Sequence, residues 1–315
     1  MNILAEKYRP KKREDIVGNK NTIDSIFALA DTGKLTHMIF EGPPGVGKTT
    51  TAHVLARQMF GEFFQSNFLE LNASDSRKVD DVRSTIKTFS KTTPFGANFK
   101  ICLLDEGDEM TSTAQNALRR TMEQYSEITI FIFAVNNAYK MIDAIQSRCQ
   151  MFHFGPLSLG NIVLRLINIY KKELDAEGRI LTLEEGLAME EIAKQSYGDM
   201  RKAINLLQTV MASGVELSAS AISVFDTGDF GKEIFEKIRI GRFLEARKKA
   251  YEALQFGYGY RQLLKMLHKV YIDANVELND KKKAVYEIAE ADYRLTLGVD
   301  PILALDKVLM ELIKL

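Results

Sequence analysis

Two cysteines in 315 residues are too few for a disulfide framework. Cys102 and Cys149 both sit in apolar, strand-like contexts, so free thiols in a reducing compartment are expected rather than a bridge. Charge of one sign is also missing, because 42 Lys and Arg balance 42 Asp and Glu. A global basic field for nucleic acid is therefore excluded, and any DNA or RNA contact has to come from a local patch. No apolar run approaches the ~20 residues of a membrane span, and the opening MNILAEKYRPKKRED lacks the apolar core of a signal peptide. An intracellular, soluble protein with no membrane partner is the expectation. His37, His53, His153 and His268 have no metal-ligand spacing and read as structural. The sequence also has no low-complexity tail, internal repeat or heptad run.

What is present is a globular composition, 46% hydrophobic and 27% charged, at a length that suits two or three domains of about 100–200 residues each. Between 37 and 154 short apolar runs alternate with helical patterns. The runs are HMIFEG (37–42), FLELNA (68–73), KICLLDE (100–106), ITIFIFAV (128–135) and QMFHF (150–154). Helical spacing separates them, as in TTTAHVLARQMF (49–60) and TAQNALRRTMEQY (113–125). Nearly all-apolar strands between helices predict an α/β domain with a parallel sheet covered on both faces. Beyond Pro156 strands vanish. NIVLRLINIYKKEL (161–174), EEGLAMEEIAKQ (184–195) and DMRKAINLLQTVM (199–211) predict a small helical domain, and the remainder reads as five amphipathic helices. Asp300-Pro301 opens the last of these as cap and first helical residue. The expected division is 1–155, 156–224 and 225–315. KTTPFGANFK (91–100) reads as an exposed loop carrying exposed Phe95 and Phe99, with a self-packed loop as the equal alternative.

GPPGVGKT (42–49) follows a predicted strand and opens a predicted helix, the context that the G-x-x-x-x-G-K-[ST] pattern requires. Its glycines let the backbone turn N–H groups toward phosphate oxygens, and the helix adds the positive end of its dipole. Lys48 would reach the β and γ phosphates, and the Thr49 hydroxyl would ligate Mg²⁺. KICLLDE ends its strand in Asp105-Glu106, at the sheet edge where ligands bind in such folds. Asp105 suits the metal shell, and Glu106 suits orienting and deprotonating water. Asn136, after the next strand, offers an uncharged amide to the γ-phosphate or the water; an Asn-Asn turn is the plain alternative. Arg201 lies in the first turn of a helix capped by Asp199, where a cation opposes the dipole and so suits an anion partner, although a solvated arginine would also sit there.

Together these elements resemble the AAA+ ATPases. EKYRP (6–10), DIVGN (15–19), ELNASD (70–75), AQNALRRTME (114–123), IQSRC (145–149) and GDMRKAIN (198–205) narrow the likeness to the small subunits of replication factor C, the clamp loader of archaea and eukaryotes. The likeness is dense over about residues 5–210 and thinner afterwards, where AEADYRL (289–295) matches best. It implies a RecA-like nucleotide-binding domain, a helical lid and an all-α collar for oligomerisation. It implies ATP and Mg²⁺, with Gly42, Pro43, Pro44, Gly45, Val46, Gly47, Lys48, Thr49 and Thr50 around the phosphates. Tyr8, Arg9, Pro10, Ile16 and Val17 would line the adenine pocket. Asn136 becomes a first sensor and Arg201 a second, while Asn72 would hold Glu106 away from water until DNA arrives. Arg148 becomes an arginine finger delivered to a neighbour's ATP site; an internal bridge to a carboxylate is the alternative.

The resemblance further implies a DNA-stimulated ATPase that loads a PCNA-type sliding clamp onto primer–template DNA. Its partners would be a large subunit and further small subunits in a ring or spiral of five. In VDDVRSTIKTF (79–89), Val79, Val82, Ile86 and Phe89 share one helical face, and Arg83 and Lys87 share another. With Lys78 these would track DNA phosphates, unless the face is only solvated. On the helix whose buried stripe is Ala114, Leu118, Met122 and Tyr125, Arg120 rather than Arg119 would face a neighbouring subunit or the channel. The family's usual Asp-Glu-Ala-Asp reads Asp105-Glu106-Gly107-Asp108 here, and Lys78 replaces a usual glycine. A non-hydrolysing structural subunit and a branch-migration motor are the competing functions. The intact Lys48, Thr49, Asp105 and Glu106 oppose the first, and the helical tail opposes the second.

Overall fold

Nearly continuous apolar strands form the core of the first unit. The computed structural model describes residues 3–73, 79–174, 179–219, 222, 230–255 and 258–315, with the backbone alone for 79–83. In chain order the first unit begins with α1 (Leu4–Lys7), α2 (Lys20–Asp31), β1 (Met38–Glu41), α3 (Lys48–Phe60) and α4 (Phe64–Asn67). It continues with β2 (Phe68–Asn72), α5 (Val79–Lys91), β3 (Lys100–Asp105), α6 (Ser112–Gln124) and β4 (Thr129–Val135). α7 (Asp143–Gln146) and β5 (Gln150–His153) close the sheet region. All five expected strands form. Each pairs in parallel with its neighbour in the order β2-β3-β4-β1-β5, with Met38 opposite Ile132 and Gln150, and Asn72 opposite Asp105.

The side-chain period of two sends alternate residues to opposite faces. Met38, Phe40, Ile101, Leu103, Ile130 and Ile132 meet α2 and α3 on one side. Ile39, Cys102, Leu104, Phe131 and Phe133 meet Ile86 of α5 and Leu118 and Met122 of α6 on the other. Phe40, Phe131 and Phe133 are fully buried, each contributing about 1.5–3 kcal/mol of transfer free energy. A sheet covered on both faces leaves its strand ends as the place for chemistry.

The buried stripe of α6 differs from expectation in one respect. Gln115 is buried, whereas Ala114 and Tyr125 are only partly so. Its amide donates to Met110 O and Lys140 O, both at 3.1 Å, and its oxygen accepts from Ile142 N at 2.8 Å. These bonds satisfy three backbone groups of the loops on either side. The loop at 92–99 is tied to α4. Asn67 donates to Phe95 O at 2.6 Å and accepts from Phe95 N at 2.9 Å. Phe95 is exposed, but Phe99 is half-buried, 5.6 Å from the Phe60 ring, which corrects its expected exposure.

The same compact unit, 1–221, includes three further helices: α8 (Leu159–Glu173), α9 (Leu183–Ser196) and α10 (Met200–Ala212). Ser158, Thr182 and Asp199 cap them by accepting from backbone N–H groups, each cap contributing about 1 kcal/mol. A second unit, 222–315, holds α11 (Phe230–Arg239), α12 (Phe243–Gln255), α13 (Tyr260–Asp273), α14 (Leu278–Thr296) and α15 (Pro301–Ile313). Its core joins Ile234, Leu263, Leu267, Ile288, Val308 and Leu309, while Ala246, Ala250 and Ala253 let α12 approach closely. Asp300 caps α15 by accepting from Ile302 N and Leu303 N, with Pro301 in the first turn. No helix among the described residues is long and apolar enough to cross a membrane.

Candidate functional site

The loop after β1 wraps a nearly buried lysine. Lys48, 8% exposed, donates through Nζ to Gly42 O at 2.7 Å, Pro43 O at 2.8 Å and Asn136 Oδ1 at 3.2 Å. Burial pushes its pKa down, and the charges of Asp105 and Asp108 partly oppose that. Arg201 is close enough to push the same pKa down further. Gly45 and Gly47 adopt positive φ, +70° and +102°. A Cβ on Gly45 would fall 1.7 Å from Asp199 Oδ1, so a side chain there would part the loop from α10. Met200 N donates to Gly45 O at 3.1 Å and completes that contact.

The carboxylates lie at the adjacent strand end. The Thr49 hydroxyl donates to Asp105 Oδ2 at 3.0 Å, and Asp105 Oδ1 accepts from Glu106 N at 3.1 Å. Glu106 is held in the left-handed region at φ +53°, unusual for a residue with a side chain, which turns the chain sharply just after β3. Asp108, 5% exposed, accepts from Asn136 N and Asn137 N, both at 3.2 Å. It anchors the loop after β4 so that Asn136 meets Lys48. Sequence reading named Asp108 only as part of a motif; its burial was the missing information.

One cleft gathers most of the expected residues. Pro44, Gly45, Val46, Gly47, Lys48, Thr49 and Thr50 form its floor, and Asp105, Glu106 and Asn136 form one wall. Tyr8, Arg9, Pro10, Ile16 and Val17 line it too, as does Arg201 of α10. Gly42 and Pro43 do not line it; their carbonyls hold Lys48. Leu157, Arg165, Met200 and Ile204 also line the cleft and were not expected. Arg165 left a signal, a lone charge within the apolar stretch IVLRL.

Arg148 stands apart from the cleft. Its Nη2 lies 2.7 Å from Glu123 Oε1 on α6, and its Nη1 donates to Ala144 O at 2.7 Å. Within one chain, therefore, the internal bridge is formed. Arg119 is half-buried with an Nε that has no hydrogen-bond partner, whereas Arg120 is exposed. Of the expected DNA contacts, Lys78 lies outside the described residues. Arg83 is on α5 without a described side chain, and Lys87 is exposed on that helix. Burial pushes both thiols, Cys102 and Cys149, up to about 12, which makes them packing groups rather than nucleophiles. His37, His53 and His153 are engaged with Phe131 N, Glu70 and Glu41.

Residues 38–157 match the ATPase family associated with various cellular activities (AAA). Residues 180–212 match the RCF1/5-like, AAA+ ATPase lid domain, and residues 230–311 match the replication factor C C-terminal domain. The replication factor C small subunit of Methanocella arvoryzae is 39% identical over 301 residues, covering 94% of this chain and 91% of the relative. The chain belongs to the replication factor C small-subunit family. A second replication factor C small subunit, from Methanothermobacter thermautotrophicus, is 39% identical over 98% of this chain and 97% of its own. Among solved structures, the Thermotoga maritima RuvB Holliday junction branch migration motor covers 95% of this chain and 87% of its own. Its TM-score is 0.57 at 19% identity, a likeness of fold alone.

Within the replication factor C sequence pattern, Gly107 has a packing reason here. A Cβ at this position would lie 3.3 Å from the Phe133 ring and 3.4 Å from Val135 Cγ1, space those side chains already press upon.

Proposed function

We propose that this chain is an ATPase small subunit of a sliding-clamp loader, whose ATP site a neighbouring subunit completes with Arg148. The observation supporting this most directly is a separation of two arginines. Arg201 lines the cleft of its own chain, while Arg148 lies outside that cleft beside Glu123. An always-charged planar guanidinium suits phosphate oxygens, and it serves this cleft only if a second copy or a related subunit brings it.

The residues fit ATP and magnesium. A bonded hydroxyl and carboxylate, Thr49 and Asp105 at 3.0 Å, are the hard oxygen donors a magnesium ion takes. The ion would offset the charge of the triphosphate between them. Lys48 would leave the Gly42 and Pro43 carbonyls for β and γ phosphate oxygens. Glu106 would orient the attacking water and accept its proton, and Asn136 would position the γ-phosphate. Asn72, opposite Asp105 at the sheet edge, is the candidate for restraining Glu106 until DNA arrives. Tyr8, Arg9, Pro10, Ile16 and Val17 would enclose adenine.

The wider reading assigns 1–155 to nucleotide binding, 156–224 to the lid and 225–315 to the collar that joins subunits. The assembly would be a pentameric ring or spiral with a large subunit, opening a PCNA-type clamp and closing around primer–template DNA. Lys78, Arg83 and Lys87 would grip the DNA through its phosphates, a contact sensitive to salt and blind to sequence. Kinship with archaeal subunits supports a cytoplasmic setting. The test is to mix the chain with a candidate large subunit and measure ATP turnover with and without primed DNA and clamp. Turnover should rise when both are added. Full turnover by a monomeric preparation, indifferent to concentration and to primed DNA, would overturn the reading.

A further inference from the structure

The chain crosses between lid and sheet region twice within the first unit, and both crossings line the cleft. At the first, the residues before the crossing belong to the lid. Leu4 N donates to Gln208 Oε1 on α10 at 2.8 Å. Lys7 Nζ and Tyr8 Oη both donate to Glu173 Oε1 on α8, each at 2.6 Å. Arg165, about two turns earlier on α8, donates through Nη2 to the backbone carbonyl of Tyr8 at 2.5 Å. Past the crossing the attachments are to the sheet side, where Arg13 Nη2 donates to Asp24 Oδ1 on α2 at 2.9 Å. Tyr8, Arg9 and Pro10 lie at the changeover and wall the cleft. At the second crossing, Asn19 holds both backbone groups of Gly155, at 2.9 and 3.1 Å, and Leu157 lines the cleft.

We propose that Arg165 is a positioning residue that ties the base-end wall of the cleft to the lid, so that occupation by a nucleoside base selects one lid angle. The inference rests on the reading that the cleft takes a nucleoside triphosphate. A guanidinium taken half out of water is costly unless its donors are used, and Arg165 spends one on the Tyr8 carbonyl, with the charge of Asp15 also favouring it. With Tyr8 so fixed, residues 8–10 cannot follow the sheet and the lid at once when the lid turns. A base packed against them therefore binds one lid angle better than others, and a ligand shifts such an equilibrium only by that difference in affinity. The phosphate end reports to the lid through Arg201 and the Gly45–Met200 contact; the base end reports through Arg165.

The test compares Mg-ATP with Mg-tripolyphosphate, which has the phosphates without the base, by calorimetry on the full chain. Wild type, Arg165→Ala, Arg165→Lys and Lys48→Ala are measured. Arg165→Ala should weaken ATP by about tenfold and tripolyphosphate by less than about twofold, with Arg165→Lys recovering part of the loss. Lys48→Ala should weaken both ligands. Amide hydrogen exchange of 9–12 and 155–158 supplies the second readout. ATP should slow exchange in wild type, whereas tripolyphosphate should not, and Arg165→Ala should lose the effect of ATP. Equal weakening of both ligands by Arg165→Ala, or of neither, overturns the inference while leaving the ATP reading intact. Wild type binding neither ligand overturns both.

Discussion

At Lys48 a positive charge is nearly buried, and the fold surrounds it with oxygen. Two carbonyls and one amide oxygen accept from Nζ, and those same groups would let go when phosphate oxygens arrive. The amide is placed by Asp108, whose two oxygens receive consecutive backbone N–H groups. Asp108→Asn keeps the shape but turns one acceptor into a donor facing a donor. A lost hydrogen bond to a charged group is worth about 1.5–3 kcal/mol, so turnover of the assembled loader should fall at least about tenfold. Nucleotide affinity should change much less, because Lys48 and the loop around it are left unaltered for the phosphates. Steady-state kinetics beside an affinity titration would check this, and unchanged turnover would remove Asp108 from the site. Reading these residues from the sequence was possible for Lys48 and Thr49 through motif spacing, and for Asp105 through its place at the end of an apolar strand. Asp108 and Arg165 were not legible, because their partners Asn136 and Tyr8 are 28 and 157 residues away.

Among the elements, strands and capped helices were the legible part. Five short apolar runs became five strands, and the three central ones, β3, β4 and β1, are buried at nearly every position, as cover on both faces demands. Asp300-Pro301 became a cap and first turn because Pro lacks the N–H that a helix start leaves unpaired. Asp300→Ala should lower the stability of residues 222–315 by about 1 kcal/mol, checked as a fall in chemical denaturation midpoint. An unchanged midpoint would mean that Pro301 alone sets the helix start. Loops were less legible. The stretch at 92–99 read as an exposed loop or a self-packed one, yet Asn67 binds both backbone groups of Phe95, and Phe99 lies against Phe60. Partners outside the loop thus help to fix it.

For the whole molecule, the proposed function turns on Arg148, whose surroundings in one chain are those of an ordinary surface ion pair. Exposed pairs of this kind contribute about 0–1 kcal/mol, so Glu123 holds the guanidinium loosely enough for a neighbour's phosphate to compete. Arg148→Ala should reduce hydrolysis in the assembled loader by about 10³-fold or more, while the isolated chain keeps its ATP affinity. Weakened ATP binding by the isolated chain would count against delivery to a neighbour. The order of residues along the chain was enough to point to an α/β fold and to a family, both of which hold, because strand burial and motif spacing are local constraints. Folding in three dimensions set the rest: which backbone groups Asp108 and Arg165 hold, and that Arg148 lies away from its own chain's cleft. Such relations join residues distant in sequence, and packing rather than periodicity brings them together.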